Sequence, residues 1–322
     1  MPANSSYTAN RTRAANGRSA VVFMTILLMF ALTTPLPAQD KQDEPLRLTS
    51  DLVVLNLTIT EKKGLYAHGL TIKDFQVFED GASQSLESFS AEEAPFAVAI
   101  LVDMSASMQQ KFGLVRGAAA SFIEQIRDND QVAVFGFNNE VRLFQDFSNL
   151  RYITDYIWDA EARDKTRLYD CLDEAVEALD KRSERRRAIL LISDGWDVSS
   201  RKASFDSALK KALSTGVTVY SVDLVDNQML MQSGRSAHLL QRGRKEMEVM
   251  ADRTGGRYIR SPLADGLEDA FNNIIDELRN QYTVTYYSAN NKRDGRWRTI
   301  NVKLSRSDLT ARTRKGYYAP KK

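Results

Sequence analysis

The chain has 322 residues, long enough for one large domain or for a medium domain with a smaller companion, and either buries a core without covalent staples. Apolar residues make up 43% and charged residues 27%, which excludes bulk disorder and a multi-span membrane protein. The formal charge is +2, but Arg11, Arg13 and Arg18 stand in the first 38 residues without an acid, so the remainder has 41 basic against 42 acidic side chains and no basic field to recruit nucleic acid.

Residues 21 to 32 form an apolar run, Val-Val-Phe-Met-Thr-Ile-Leu-Leu-Met-Phe-Ala-Leu, preceded by those arginines and followed by Thr33-Thr34-Pro35-Leu36-Pro37-Ala38. This order predicts a signal peptide over residues 1–38 cut after Ala38, because the run falls short of the ~20 apolar residues of a spanning helix. Leu36 is large for its place before the cut, so an uncleaved anchor is the alternative and the only expected membrane contact. Both readings export the rest of the chain, as a periplasmic, secreted or envelope-associated protein. Cys171 is the only cysteine, so no intrachain disulfide forms; with Leu168, Leu172 and Val176 at helical spacing it reads as a buried thiol rather than a nucleophile.

Residues 48–92 read as a few antiparallel strands: Val53, Leu55, Leu57 and Ile59 alternate with polar or less buried positions, and Asp80-Gly81 signals a hairpin. From Phe96 to Val102 the chain is continuously apolar, the mark of a strand covered on both faces. Strand and helix patterns then interleave through residues 94–280. Strands are predicted over 132–137, 141–144, 188–192 and 217–222, with helices over 108–127, 168–181, 203–213 and 263–280. The fold class is therefore α/β, a Rossmann-like, mostly parallel sheet with helices on both faces. The stretch 225–245 has weak periodicity and reads as a long loop or partial helix. Residues 281–318 return to antiparallel character. Neither flank alone has strands enough for a stable sheet, so the two are expected to pair into one small β-domain from which the α/β domain is inserted.

The first buried strand ends in Asp103-Met104-Ser105-Ala106-Ser107 just before a helix, where open α/β sheets collect ligands. An aspartate and two alternating hydroxyls can aim hard oxygen donors at one point, a set suited to magnesium, calcium or manganese. Thr166 stands before Arg167-Leu168-Tyr169-Asp170 at the mouth of another helix, and Asp194 follows the apolar strand 188–193 and precedes Gly195. With these motifs, Ala94 to Gln281 resembles the von Willebrand factor A-domain family and its metal-ion-dependent adhesion site. The flanks, with Leu70-Thr71-Ile72-Lys73-Asp74-Phe75 and Arg314-Lys315-Gly316-Tyr317-Tyr318, are similar to a bacterial exported subgroup.

That resemblance implies a divalent cation, magnesium first with manganese or calcium as alternatives. Ser105, Ser107 and Thr166 would be hydroxyl ligands, direct or through water, and Asp103 and Asp194 would supply the negative charge. It also implies a protein partner offering Asp or Glu to the ion, hence an adhesion module rather than an enzyme. The family usually has a small residue at the position of Met104 or Ala106, and commonly Gly where Ala106 stands, a departure that removes no ligand. The competing reading is a cell-envelope scaffold with a structural or vestigial metal. A hydrolase would need a base beside the metal, and His68 and His238, the only histidines, fall in the β flank and the 225–245 stretch. Asp173, Glu174 and Glu177 read as an exposed helix face, and Lys181-Arg182 with Arg185-Arg186-Arg187 as a solvated loop complementing a helix dipole. Tyr282, Tyr286, Tyr287, Trp297, Tyr317 and Tyr318 read as strand packing, with a carbohydrate surface as the alternative.

Overall fold

The computed structural model describes residues 52–91, 93–150, 165–225, 234, 237–260 and 264–321, so the expected signal segment lies outside them. Alternation along Leu52–Glu61 yields strand β1, with Val53, Leu55, Leu57 and Ile59 buried. Strands β2 (Phe75–Glu79) and β3 (Ala82–Gln84) are joined by Asp80-Gly81 at φ 48° and 84°, the doubly left-handed turn that an Asp-Gly pair accommodates. β4 (Leu86–Ser90) ends this flank.

β5 (Phe96–Asp103) is buried at every position, as a strand covered on both faces must be. A 3-10 turn (Ala106–Lys111) leads into α1 (Phe112–Glu124), followed by β6 (Gln131–Phe137), β7 (Val141–Ser148), α2 (Leu168–Asp180), β8 (Arg186–Ser193) and α3 (Phe205–Thr215). β9 (Thr218–Asp223), α4 (Ala237–Thr254), β10 (Tyr258–Arg260) and α5 (Ala264–Arg279) complete the unit. The sheet runs β10-β9-β8-β5-β6-β7, parallel throughout except for the antiparallel β6–β7 pair. α1 and α5 cover one face around Phe122 and Phe271; α2, α3 and α4 cover the other around Leu172, Leu213 and Met247. α4 begins inside the stretch 225–245, in keeping with the partial helix that is one of its two sequence readings. Its pattern is weak because Gly243 and Arg244 share the buried face with Leu240, Met247 and Met250.

β11 (Tyr282–Tyr287), β12 (Trp297–Leu304), β13 (Leu309–Arg312) and β14 (Gly316–Tyr318) follow. They combine with the first flank into two four-stranded antiparallel sheets, β13-β1-β11-β4 and β14-β12-β2-β3. The two sheets share a core of Leu55, Leu57, Val77, Val284 and Ile300, in which the rings of Phe75, Phe89 and Tyr282 lie 5.5–5.7 Å apart. Tyr282, Tyr286 and Tyr317 are buried there, and Trp297 and Tyr318 pair edge to face at 5.1 Å, so five of the six aromatic residues are engaged in packing and only Tyr287 is exposed. Because β4 and β11 pair, the α/β unit enters and leaves the sandwich at one place.

The arginine patch is not a solvated loop. Arg186, at the start of β8, is fully buried, and its guanidinium donates to the carbonyls of Leu278 (3.1 Å), Arg279 (3.0 Å) and Gln281 (2.6 Å) at the end of α5. Arg187 points to the opposite face, as the next residue of a strand must, and donates to Asp180 Oδ1 (3.1 Å) and Thr215 O (2.5 Å) at the ends of α2 and α3. Two neighbouring arginines thus meet the negative ends of helices on both faces of the sheet. Burial pulls the Arg186 pKa down to about 10, which leaves it a cation at neutral pH. On the far edge Glu277, wholly buried on α5, accepts from Tyr220 (2.6 Å) and Thr58 (3.3 Å) and pairs with Arg257 (2.8 Å) and Arg312, joining β1 and β13 of the sandwich to the α/β unit.

Arg186→Met leaves three carbonyls of a buried helix end without a donor and is expected to lower unfolding free energy by on the order of 3 kcal/mol. Arg185→Ala, one residue earlier and exposed, is expected to stay within about 0.5 kcal/mol. Urea denaturation of both variants checks the contrast.

Candidate metal centre

Asp103 is the last residue of β5, and its buried carboxylate is held from two sides. Oδ1 accepts from the Ser105 amide at 2.9 Å and Oδ2 from the Ser193 hydroxyl at 2.6 Å. The hydroxyls of Ser105 and Ser107 lie 2.9 Å apart, and that of Ser107 donates to Asp194 Oδ2 at 2.7 Å. Asp194 Oδ1 accepts from the Trp196 amide at 3.1 Å. Four of the five expected ligands therefore form one continuous chain of oxygens at the carboxyl end of the sheet, with Asp103, Ser105 and Asp194 buried and Ser107 exposed to solvent.

Thr166 reaches this place by its backbone. It is buried just before α2, and its carbonyl accepts from the amides of Val198 (3.0 Å) and Ser199 (2.9 Å), in the loop that begins at Asp194. The same loop caps α2: the amides of Tyr169 and Asp170 both donate to Ser200 Oγ at 3.1 Å, and Asp197 Oδ1 accepts from that hydroxyl at 2.5 Å. Asp170 returns the contact from inside the helix, accepting from the amides of Arg201 (3.0 Å), Lys202 (2.8 Å) and Ala203 (2.9 Å) and pairing with Arg167 at 2.7 Å. Burial works against its charge, but these amides and Arg167 bring its pKa below the usual carboxylate range. Asp197 is thus a capping residue. Asp173, Glu174 and Glu177 are tied to Lys211, Lys202 and Lys181 along the outer side of α2.

Three further residues at the centre, noted in sequence only as neighbours of the expected ligands, have packing roles. Ser193 both donates to Asp103 and accepts from the Gly195 amide at 2.9 Å. Gly195, at φ 79°, lies against Gly243 of α4 so closely that a Cβ on either would overlap the backbone of the other. Met104, large for its place in such loops, fits because Gly136 on β6 leaves room for its sulfur. Ala106 is exposed and makes no demand on the loop.

The donor chemistry fits a hard divalent cation. Burial, reinforced by the charge of Asp194, pushes the Asp103 pKa up to about 7 against the pull of its hydrogen bonds, and burial raises that of Asp194 as well. Lys111, whose ammonium donates to the Leu224 carbonyl, lies near enough for its charge to lower the Asp194 pKa, so the carboxylates are partly compensated. Two buried carboxylates ringed by hydroxyls and served by one neighbouring lysine still leave negative charge for a dication to balance. Asp223, the next carboxylate along this edge, is already neutralised: it pairs with Arg244 at 2.5 Å and accepts from Tyr258 at 2.6 Å. Among the described residues no three His, Cys, Asp or Glu side chains gather as a metal site, so any cation held here depends on the hydroxyls.

Residues 98–196 match the family described as von Willebrand factor type A domain, a span that includes all five expected ligands. The α/β unit has the von Willebrand factor A fold. No curated protein matches the chain. Solved structures similar to it include a von Willebrand factor type A protein from Catenulispora acidiphila, with 13% identity over 84% of this chain and 74% of that one at a TM-score of 0.48. The von Willebrand factor domain of a type V pilus tip protein from Porphyromonas gingivalis has 11% identity over 58% and 97% at 0.44. A conserved hypothetical protein from Bacteroides thetaiotaomicron has 14% identity over 56% and 98% at 0.43.

Gly243→Ala sets two effects against each other. Helix propensity favours alanine by about 1 kcal/mol, whereas the new methyl collides with the Gly195 carbonyl, which as backbone cannot move aside alone. The collision is expected to win, with a net loss of about 1–3 kcal/mol in urea denaturation.

Proposed function

We propose that this is an exported binding module in which a divalent cation, magnesium before manganese or calcium, is held by Asp103, Ser105, Ser107, Thr166 and Asp194. An open position on the ion takes an aspartate or glutamate from a protein partner. The observation that carries this reading is the continuous hydrogen-bonded chain from Asp103 through Ser105 and Ser107 to Asp194, with the Ser107 end open to solvent. The carboxylates supply the charge and the neutral hydroxyls fill coordination places, which leaves the ion electrophilic toward an outside carboxylate.

Binding is favoured over hydrolysis because the residues that could act as a base are elsewhere or engaged. His68 and His238 are exposed, in the loop after β1 and at the start of α4, and Asp197 is bound to Ser200 at the cap of α2. A purely structural metal is disfavoured too, since Thr166 and Asp170 already tie the loop before α2 to the loop after β8, and Ser193 and Ser107 tie the latter to the loop after β5. Export rests on the charged, then apolar, then small-residue order of residues 1–38. Among the described residues no helix is long and apolar enough to cross a membrane.

Titration calorimetry with Mg²⁺, Mn²⁺ and Ca²⁺ is expected to show one saturable site in the native protein and at least tenfold weaker binding in Asp103→Ala. Equal binding by the two proteins, or none by either, contradicts the proposal. With the ion bound, retention on an immobilised Asp-containing peptide and release by chelator is the expected second result.

A further inference from the structure

At the opposite end of the α/β unit from Asp103, where β8 begins, a cavity of about 350 Å³ opens between β1 and the ends of α2 and α3. Its charged lining consists of Arg182, Arg185, Arg187 and Arg314 against Asp180 and Glu184. Arg182 pairs with Glu184 at 2.9 Å and Arg187 with Asp180 at 3.1 Å. Arg185 and Arg314 have no carboxylate partner among the described residues, so two positive charges remain over.

Helix ends absorb part of that excess. The carbonyls of Leu213, Thr215 and Val54 are met by Arg314 and Arg187, at 2.9, 2.5 and 3.0 Å. Even so, the Nε atoms of both arginines are buried without a hydrogen-bond acceptor among the described residues. Burial lowers the Arg314 pKa and the nearby charge of Arg187 lowers it further, although Tyr286, Tyr317 and the carboxylate of Glu79 oppose this. Placing two guanidiniums together in a dry wall is costly unless an anion joins them. The exposed Arg185 is fixed at the rim, because its carbonyl accepts from Asn56 Nδ2 at 2.9 Å, and Asn56 is in turn held by Thr283 at 2.9 Å.

We propose that this cavity binds a small dianionic oxyanion ligand, a phosphate or dicarboxylate group recognised by Arg185, Arg187 and Arg314. A volume near 350 Å³ is at the lower end for small-molecule sites, with room for a short organic body attached to the anion. Ser183, Ser214 and Thr215 line the remaining wall; the hydroxyls of Ser214 and Thr215 donate to the carbonyls of Lys210 and Lys211, so toward a ligand they can only accept. Strand β1 contributes one side, so the site exists only where the sandwich and the α/β unit meet.

The test is titration calorimetry of the full chain, freed of divalent metal by dialysis, with inorganic phosphate in one arm and succinate in the other. Saturable binding in either arm is expected, with about a tenfold rise in Kd for Arg185→Gln and no change for Asp103→Ala. Binding of phosphate alone assigns a phosphoryl ligand, and of succinate alone a dicarboxylate. Modification of Arg185 by phenylglyoxal, read by mass spectrometry, is expected to be slowed by whichever anion binds. No binding in either arm overturns the proposal, as does binding that Arg185→Gln leaves unchanged. The Asp103→Ala control separates this result from the cation site, whose failure leaves the anion site intact.

Discussion

A parallel sheet crossed by helices sorts charge, and most of this molecule follows from that. Each helix runs antiparallel to the strands, so helix amino ends gather at the carboxyl ends of the strands and helix carboxyl ends at the other edge. Acids are placed at the first edge, as Asp103, Asp194 and Asp223 on β5, just after β8 and on β9. Arginines are placed at the second, where Arg186 and Arg187 meet helix ends on opposite faces of one strand. Both candidate sites are local excesses over this arrangement: two buried carboxylates with the lysine Lys111 near them at one end, and guanidiniums outnumbering carboxylates at the other.

The side chains of the proposed cation site are held in place by the chain's own hydrogen bonds. Backbone amides and Ser193 fix the orientation of the Asp103 carboxylate, and the Gly195 to Gly243 contact fixes the turn that presents Asp194. Such support shapes affinity as much as the ligands do, because a donor held in place loses no freedom on binding. Asp223 shows the contrast. It sits on the adjacent strand, but Arg244 and Tyr258 satisfy it, and the edge there is closed by a buried ion pair.

Five of the six described strands of this sheet and four of its five described helices were legible in sequence because their apolar spacing is regular: β5 is apolar up to its final aspartate, and α5 has a broad face of Leu267, Phe271, Ile274 and Leu278, whereas β10 is three residues long and only half-buried. The proposed ligands could be picked out in sequence because they stand at strand-to-helix or loop-to-helix junctions. What was hidden depends on tertiary partners. α4 was obscured by a glycine and an arginine on its buried face, since nothing local shows that Gly243 must admit another backbone or that Arg244 will find Asp223. Arg186 read as solvated because the three carbonyls it serves are more than ninety residues away along the chain. The division of the flanks into two sheets follows from non-local pairings that alternation alone leaves open.

The claim on which the rest of the functional account stands is that the oxygens of Asp103, Ser105, Ser107 and Asp194 surround a cation. Anomalous diffraction from crystals grown with Mn²⁺ locates the metal without reference to affinity. The account predicts a single strong peak within coordination distance, about 2.0–2.4 Å, of the Ser105 and Ser107 hydroxyls, directly or through water bound to Asp103 and Asp194. A fully loaded crystal whose manganese lies elsewhere, with the Ser107 hydroxyl still bound to Asp194, would contradict it.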